Sequence, residues 1–289
     1  MSRKSDSMTR PLPKWLNAIL IMGTLATVVA FELKRPLRRN RQDKLGRDAR
    51  NAAVSLLAAA TVSLAEQPVV APLSLAVHQQ RLGLLKAVRL PAVAEVALSV
   101  ILLDYTLFIW HYLTHKVSLL WRFHKSHHVD LDMDASTALR FHPGELLFSV
   151  PWRAAQVRLL GISPLALAVW QTLTLMAIMF HHSNLRLPFA LERRLCRLIV
   201  TPRMHGIHHS VVRYETDSNW STIFSWPDHL HGTLRLNVPQ DKITLGVPGY
   251  QDPGQVTLGR VLEMPFRPEV PGPEPQREPI AIPQTTLAG

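Results

Sequence analysis

The chain has 289 residues, enough for one large domain or two, and only 18% of them are charged against 47% hydrophobic. Its mean hydropathy is +0.07 despite polar ends, which requires strongly apolar segments inside. Its formal charge of +11 would suit nucleic acid, but the densest basic run abuts an apolar segment, as juxtamembrane arginines do, and a single cysteine excludes both a disulfide framework and a Cys-based iron–sulfur cluster.

Taken in chain order, Trp15–Phe31 is uncharged and just long enough to cross a bilayer. Arg3, Lys4, Arg10 and Lys14 before it could belong to a secretory signal. No small-residue cleavage site follows, so a retained membrane helix is expected. Between Lys34 and Arg50 lie eight basic residues, twice the number before the first span, and the positive-inside rule places this loop in the cytoplasm. Ala52–Val77 is apolar except near Glu66, Gln67, Pro68 and Pro72, and reads as either a kinked span or a short hairpin. Ala92–Trp110 is a further span that carries Glu95 and Asp104. Glu145–Leu159 holds Pro151, Arg153 and Arg158, which suits an interfacial or re-entrant helix. Leu159–Phe180 is the clearest span of all. The expected fold is therefore all-α, an integral membrane bundle of about four membrane segments with a histidine-rich cap facing the cytoplasm. It divides into 1–50 (first helix and basic loop), 51–263 (membrane domain) and 264–289, a disordered tail with seven prolines between Pro265 and Pro283.

The chemistry lies in the histidines. His124/His127/His128 and His205/His208/His209 are two copies of His-x-x-His-His about eighty residues apart, and His111 and His115 precede the first. Positions i, i+3 and i+4 share one helix face, so each cluster aims several imidazoles at one point. Without a metal, such packing is penalised by desolvation and by mutual repulsion on protonation. A structural zinc site would need fewer histidines and usually cysteines, whereas eight or nine rings shared by two ions give four or five each and leave a position open. If both clusters serve the same metals, the chain between them must cross the membrane an even number of times. Glu145–Leu159 must then dip in and help Leu159–Phe180 return, as a hairpin of uneven depth. His78 and His229 are read as ordinary packed or interfacial residues. Asp130, Asp132 and Asp134 lack the Gly and terminal Glu of a calcium loop and are expected in a solvated loop.

The run Asp104, His111-Tyr-Leu-Thr-His115, Trp121-Arg-Phe-His124-Lys-Ser-His127-His128 and Arg140-Phe-His142-Pro143 resembles the fatty acid hydroxylase / sterol desaturase superfamily. So do Phe180-His-His182-Ser-Asn184, Thr201-Pro-Arg-Met-His205-Gly-Ile-His208-His209-Ser and Asp217-Ser-Asn219, so the likeness extends over about residues 90 to 265. The resemblance implies an integral-membrane, non-haem enzyme holding two iron ions (Fe2+) that uses O2 to hydroxylate or desaturate a fatty acyl, sterol or isoprenoid lipid. It also implies the ligands His111, His115, His124, His127, His128, His182, His205, His208 and His209. His142 and His181 are further ligand or supporting candidates. Asp104, Asp217 and Asn219 are candidates for orienting the rings. Ile178 stands four residues before His182, so an additional His-x-x-x-His pair of some family members is missing. The family's closing motif departs at Trp226-Pro-Asp228-His229-Leu-His231-Gly-Thr233, which leaves His231 without an assigned role. No nicotinamide or flavin motif is present, so electrons are expected from an external cytochrome b5-like or ferredoxin-like protein. The competing reading is a non-catalytic membrane metal-binding or transport protein. It is disfavoured because transporters place ligands near the midplane, not at span ends.

Overall fold

The computed structural model describes residues 7–273 and 283–288 and is all-helical, with only isolated bridges outside the helices among those residues. Helix α1 (Lys14–Lys34) is followed by α2 (Lys44–Thr61), which starts where Asp43 accepts a hydrogen bond from the Gly46 N–H. A π turn, Val62–Glu66, joins α2 directly to α3 (Gln67–Gln79). It sits just before Pro68, whose nitrogen cannot donate to the preceding turn, so the helix is interrupted but not reversed. The structure thus selects the kinked span over the hairpin.

Helix α4 (Ala92–Lys116) outruns the expected Trp110 boundary by almost two turns. Both His111 and His115 therefore ride on its end. Val117 in extended conformation turns the chain into α5 (Ser118–His128). Next come α6 (Pro143–Leu160) and α7 (Pro164–His182). The short helices α8 (Phe189–Leu195), α9 (Pro202–His208), α10 (Arg213–Thr216), α11 (Trp226–His231) and α12 (Leu258–Glu263) build the cap.

Tertiary contacts fix the sense of each long helix. The end of α1 reaches the cap, where Glu32 accepts the N–H groups of Ala135 and Asn184. α2 leaves from the same level through Arg47 and Asp130. α3 ends at the far side, where Gly83 meets Gly161. α4 returns to the cap, α6 leaves it beside His124 and runs down to Gly161, and α7 comes back with His181 and His182. The even number of passes between the histidine clusters is therefore supplied by an α6–α7 hairpin. Glu145–Leu159 falls within one continuous helix, α6, which runs from the cap to Gly161 beside Gly83. Leu159–Phe180 is not one segment: Gly161 in left-handed conformation (φ 82°), the Ser163 cap and Pro164 break it.

Four helical stretches, Lys14–Lys34, Lys44–Lys86, Ala92–Lys116 and Pro164–His182, are long and apolar enough to cross a membrane. Their outward side chains fit that setting, since Trp15, Ile19, Met22, Leu56 and Leu64 are all more than half exposed. The bundle interior is an apolar core that includes Val70, Val100, Leu103, Val157 and Trp170.

One expectation is corrected outside the bundle. Asp130, Asp132 and Asp134 are buried, not solvated. Asp130 pairs with Arg47 and Arg50, Asp134 with Arg47 and Lys44, and Asp132 accepts the backbone N–H groups of Arg41 and Gln42. The arginine-rich loop thus serves as an internal counter-charge, and its guanidinium groups hold the Asp130 carboxyl well below the usual carboxylate range. The proline-rich tail is packed at both ends: Met264 is buried, and Leu287 is buried with Ala288 bonded to Leu236. Residues 274–282 of it lie outside the described set.

Candidate metal centre

Nine imidazoles from four segments meet in the cap as two groups. One contains His111, His115, His124, His128 and His208, the other His127, His182, His205 and His209, and within each group the ligand atoms lie within 4.8 Å of one another. These nine are the histidines expected from the sequence. The groups adjoin, with the His128 ring stacked 4.2 Å from that of His209.

Helical spacing explains much of the convergence. His111 and His115 share a face of α4, and on α5 His124 and His128 point to one group while His127, one position aside, points to the other. The same division separates His208 from His205 and His209 around α9.

Hydrogen bonds decide which nitrogen of each ring is available. The Nδ1–H of His208 donates to Ser218 O (2.7 Å), that of His111 to Trp220 O (2.8 Å) and that of His181 to Thr222 O (3.1 Å). Three alternate carbonyls of the segment 218–222, which turns at Asn219, therefore orient three rings. That segment is held by two buried carboxylates. Asp104 accepts from the N–H groups of Ile223 and Phe224, and Asp228 from those of Trp220 and Ser221 and from the Thr233 hydroxyl. His182 Nδ1 donates to Ile178 O, and His124 Nδ1 lies 2.8 Å from a Glu145 oxygen. In His208, His111, His182 and His124 these contacts leave the Nε2 lone pair available to the histidine groups.

The inward nitrogens test the fit to metal. In the four-histidine group, Nε2 atoms approach one another at 3.0 Å (His127 to His182), 3.0 Å (His182 to His205) and 3.2 Å (His205 to His209). With Nδ1 of His182 already donating, its Nε2 has no proton to share with two neighbours. A central cation resolves the conflict, because metal–imidazole bonds of about 2.0–2.1 Å place adjacent ligands roughly 3 Å apart. In the five-histidine group, Nε2 of His115, His124, His128 and His208 is buried with no protein partner. Burial, reinforced by neighbouring rings, holds His127, His128, His205, His208 and His209 well below the usual histidine range, so they are neutral at physiological pH, the form that can bind a metal. Both groups fit transition-metal ions bound through nitrogen alone. Cys196 is packed apart from them among Val200, Met204 and Leu234.

The remaining candidates lie elsewhere. His142 joins neither group: it caps α6, accepting the Gly144 N–H, with its other nitrogen at Leu262 O. His181 is buried with its ring 4.1 Å from that of His205, without being part of either ligand set. Asp104 does not accept from an imidazole; it supports the carbonyl strip. Asp217 pairs with Lys116 at 2.6 Å and orients no histidine. Asn219, at φ 55°, bridges Met204 O and Arg235 O and so steadies α9 and its ring-bearing turn. His231 stacks on Phe108 and meets the Tyr105 hydroxyl at 3.1 Å. Sequence reasoning missed Glu145 and Asp228. A carboxylate just inside an otherwise apolar helix was the available sign for Glu145.

Residues 96–233 match the fatty acid hydroxylase family. The chain is 27% identical over 246 residues to the ornithine lipid hydroxylase of Rhizobium tropici, covering 81% of this chain and 71% of that protein. It is 30% identical over 150 residues to a cholesterol 25-hydroxylase-like protein of Danio rerio, covering 51% of this chain and 58% of that one. Human alkylglycerol monooxygenase is 27% identical over 151 residues, half of this chain and 31% of that protein. No solved structure matches the chain significantly.

Proposed function

Since the chain belongs, through residues 96–233, to the fatty acid hydroxylase family, we propose that it is a membrane-bound, O2-dependent di-iron oxygenase that hydroxylates a C–H bond of a lipid. The supporting observation is the gathering of nine buried imidazoles into a set of five and a set of four, each with inward lone pairs. The lipid hydroxylases and the monooxygenase it resembles point to hydroxylation over desaturation.

His111, His115, His124, His128 and His208 would hold one iron and His127, His182, His205 and His209 the other. Iron bound there would supply activation of O2 and the oxidising equivalents for C–H cleavage. The chain's own residues do the rest. The 218–222 carbonyls, Ile178 O and Glu145 fix the ring tautomers. Phe141, stacked 4.6 Å from the His127 ring, and the surrounding apolar core exclude bulk water, which protects a reactive oxidant. Electrons come from a separate redox protein at the cap, which faces the cytoplasm on the side of the arginine-rich loop.

The test combines metal analysis with lipid analysis. Purified protein is expected to carry two irons and to convert a lipid in membrane extracts to a product 16 mass units heavier, labelled by 18O2. His127→Ala and His208→Ala, one from each group, should each reduce conversion to background while the protein still inserts. Turnover retained in both variants would remove the assignment.

A further inference from the structure

A cavity of about 330 Å3 opens in the cap with the candidate ligand His115 as part of its wall. Trp121 lies between the cavity and the metal centre, its ring 5.0 Å from His115 and 5.5 Å from His128. The cavity is also lined by Lys125, whose side chain is only 1% exposed although it sits on α5 between His124 and His127. A buried ammonium requires an anion. The carboxylate that reaches it is that of Glu269, at 3.2 Å, longer than the roughly 2.7–2.9 Å of a close charge-assisted bond. Glu269 is itself 65% exposed and belongs to the proline-rich segment. That segment is laid over the cavity by backbone contacts: Val270 N–H donates to the Tyr250 hydroxyl, and Val270 and Gly272 press on Gly249, where a Cβ would fall 2.1 Å from Val270 O. Tyr250 presents its ring to the ammonium at 5.1 Å.

The arrangement is a buried cation in a cavity, filled loosely by a side chain from a surface strap. We propose that this cavity is a binding site for an anionic phosphate or carboxylate group, held by Lys125, and that Glu269 occupies the anion position until a ligand displaces it. The adjoining surface favours a lipid headgroup as the source. Asp217 in the cavity wall is bridged to Lys116 at the end of α4, a helix long and apolar enough to cross a membrane, and Tyr112, Val117 and Leu119 are exposed beside it. A lipid held by its head in this cavity places the carbons nearest the head, not the chain end, beside His115. The inference about the oxidised position rests on the oxygenase reading; the anion site itself does not.

Binding is read on the full chain in detergent by native mass spectrometry, without turnover. The probes are phosphatidylglycerol, phosphatidylcholine and inorganic phosphate. The wild type should retain phosphatidylglycerol over phosphatidylcholine. Lys125→Gln should weaken that retention about tenfold. Glu269→Gln, a change on the surface strap, should strengthen it severalfold, while Lys242→Gln, removing an exposed charge elsewhere, should leave it unchanged. Phosphatidylglycerol retention that is indifferent to both Lys125→Gln and Glu269→Gln overturns the proposal. A Lys125-dependent effect reproduced in full by inorganic phosphate upholds the anion site and overturns the lipid source. A wild type that shows no preference for phosphatidylglycerol while 18O2 incorporation is intact defeats this inference alone and leaves the oxygenase standing.

Discussion

Asp228 never touches an imidazole, yet its carboxylate accepts three hydrogen bonds that hold the backbone from which three imidazoles hang. Asp228→Ala should therefore cost about 10–100-fold in metal affinity, the usual effect of removing a group that orients ligands. Two buried N–H groups left unpaired should also cost about 2–5 kcal/mol of stability. Metal retention during dialysis against a chelator, read beside the melting temperature, separates the two effects; unchanged retention would contradict the positioning role. This residue shows where the sequence stops being readable. The ligands announce themselves by spacing, because helix periodicity turns spacing into direction. Asp104 announces itself as a charge in an apolar run, but its partners at 223 and 224 are more than a hundred residues away. Asp130, Asp132 and Asp134 look solvated for the same reason, since Arg47, Arg50 and Lys44 pair with the first and last and the backbone of Arg41 and Gln42 with the second.

Helices α6 and α7 form a hairpin whose tip admits no side chain. Gly161 has φ 82°, and a Cβ there would stand 2.7 Å from Leu82 O. Gly161→Ala should destabilise the protein by about 1–3 kcal/mol, from the left-handed backbone and the clash together. Gly23→Ala in α1, where nothing lies within 4 Å, should be neutral or slightly stabilising. Thermal melting of the detergent-solubilised proteins by fluorescence-detected size exclusion distinguishes the pair. Apolarity located the spans but misplaced their ends. α4 continues past Trp110 because i-to-i−4 hydrogen bonding is indifferent to side-chain polarity, and the polar last turns are buried by the cap instead of by lipid. α6 was obscured because Glu145 and Arg153 dilute its apolar character while each finds a partner inside the bundle, Glu145 at His124 and Arg153 against the Trp170 ring.

For the molecule as a whole, the neutral histidines couple folding to pH. Five of them outside the spans have their pKa lowered mainly by burial. The unfolded chain therefore takes up protons that the folded one refuses, and stability is complete above the unfolded value near 6.5 and falls as pH drops below it. Each such group can contribute about 1.4 kcal/mol per pH unit over that interval. Metal-stripped protein should accordingly lose its fold steeply between about pH 6.5 and 5. Bound metal should hold the fold to lower pH. A flat melting temperature across that window in the stripped form would contradict the neutral assignment. The class of fold and the ligand set follow from local pattern, whereas the tethers that join cap to bundle come only from three-dimensional contact. One such tether has a mechanical consequence. Ser218, Trp220 and Thr222 offer their carbonyls to three imidazoles from one short segment. A one-residue slip would turn all three away at once, so His111 and His208 of the five-histidine group would lose their bearings together with the adjoining His181, and that group keeps its geometry as a unit or not at all.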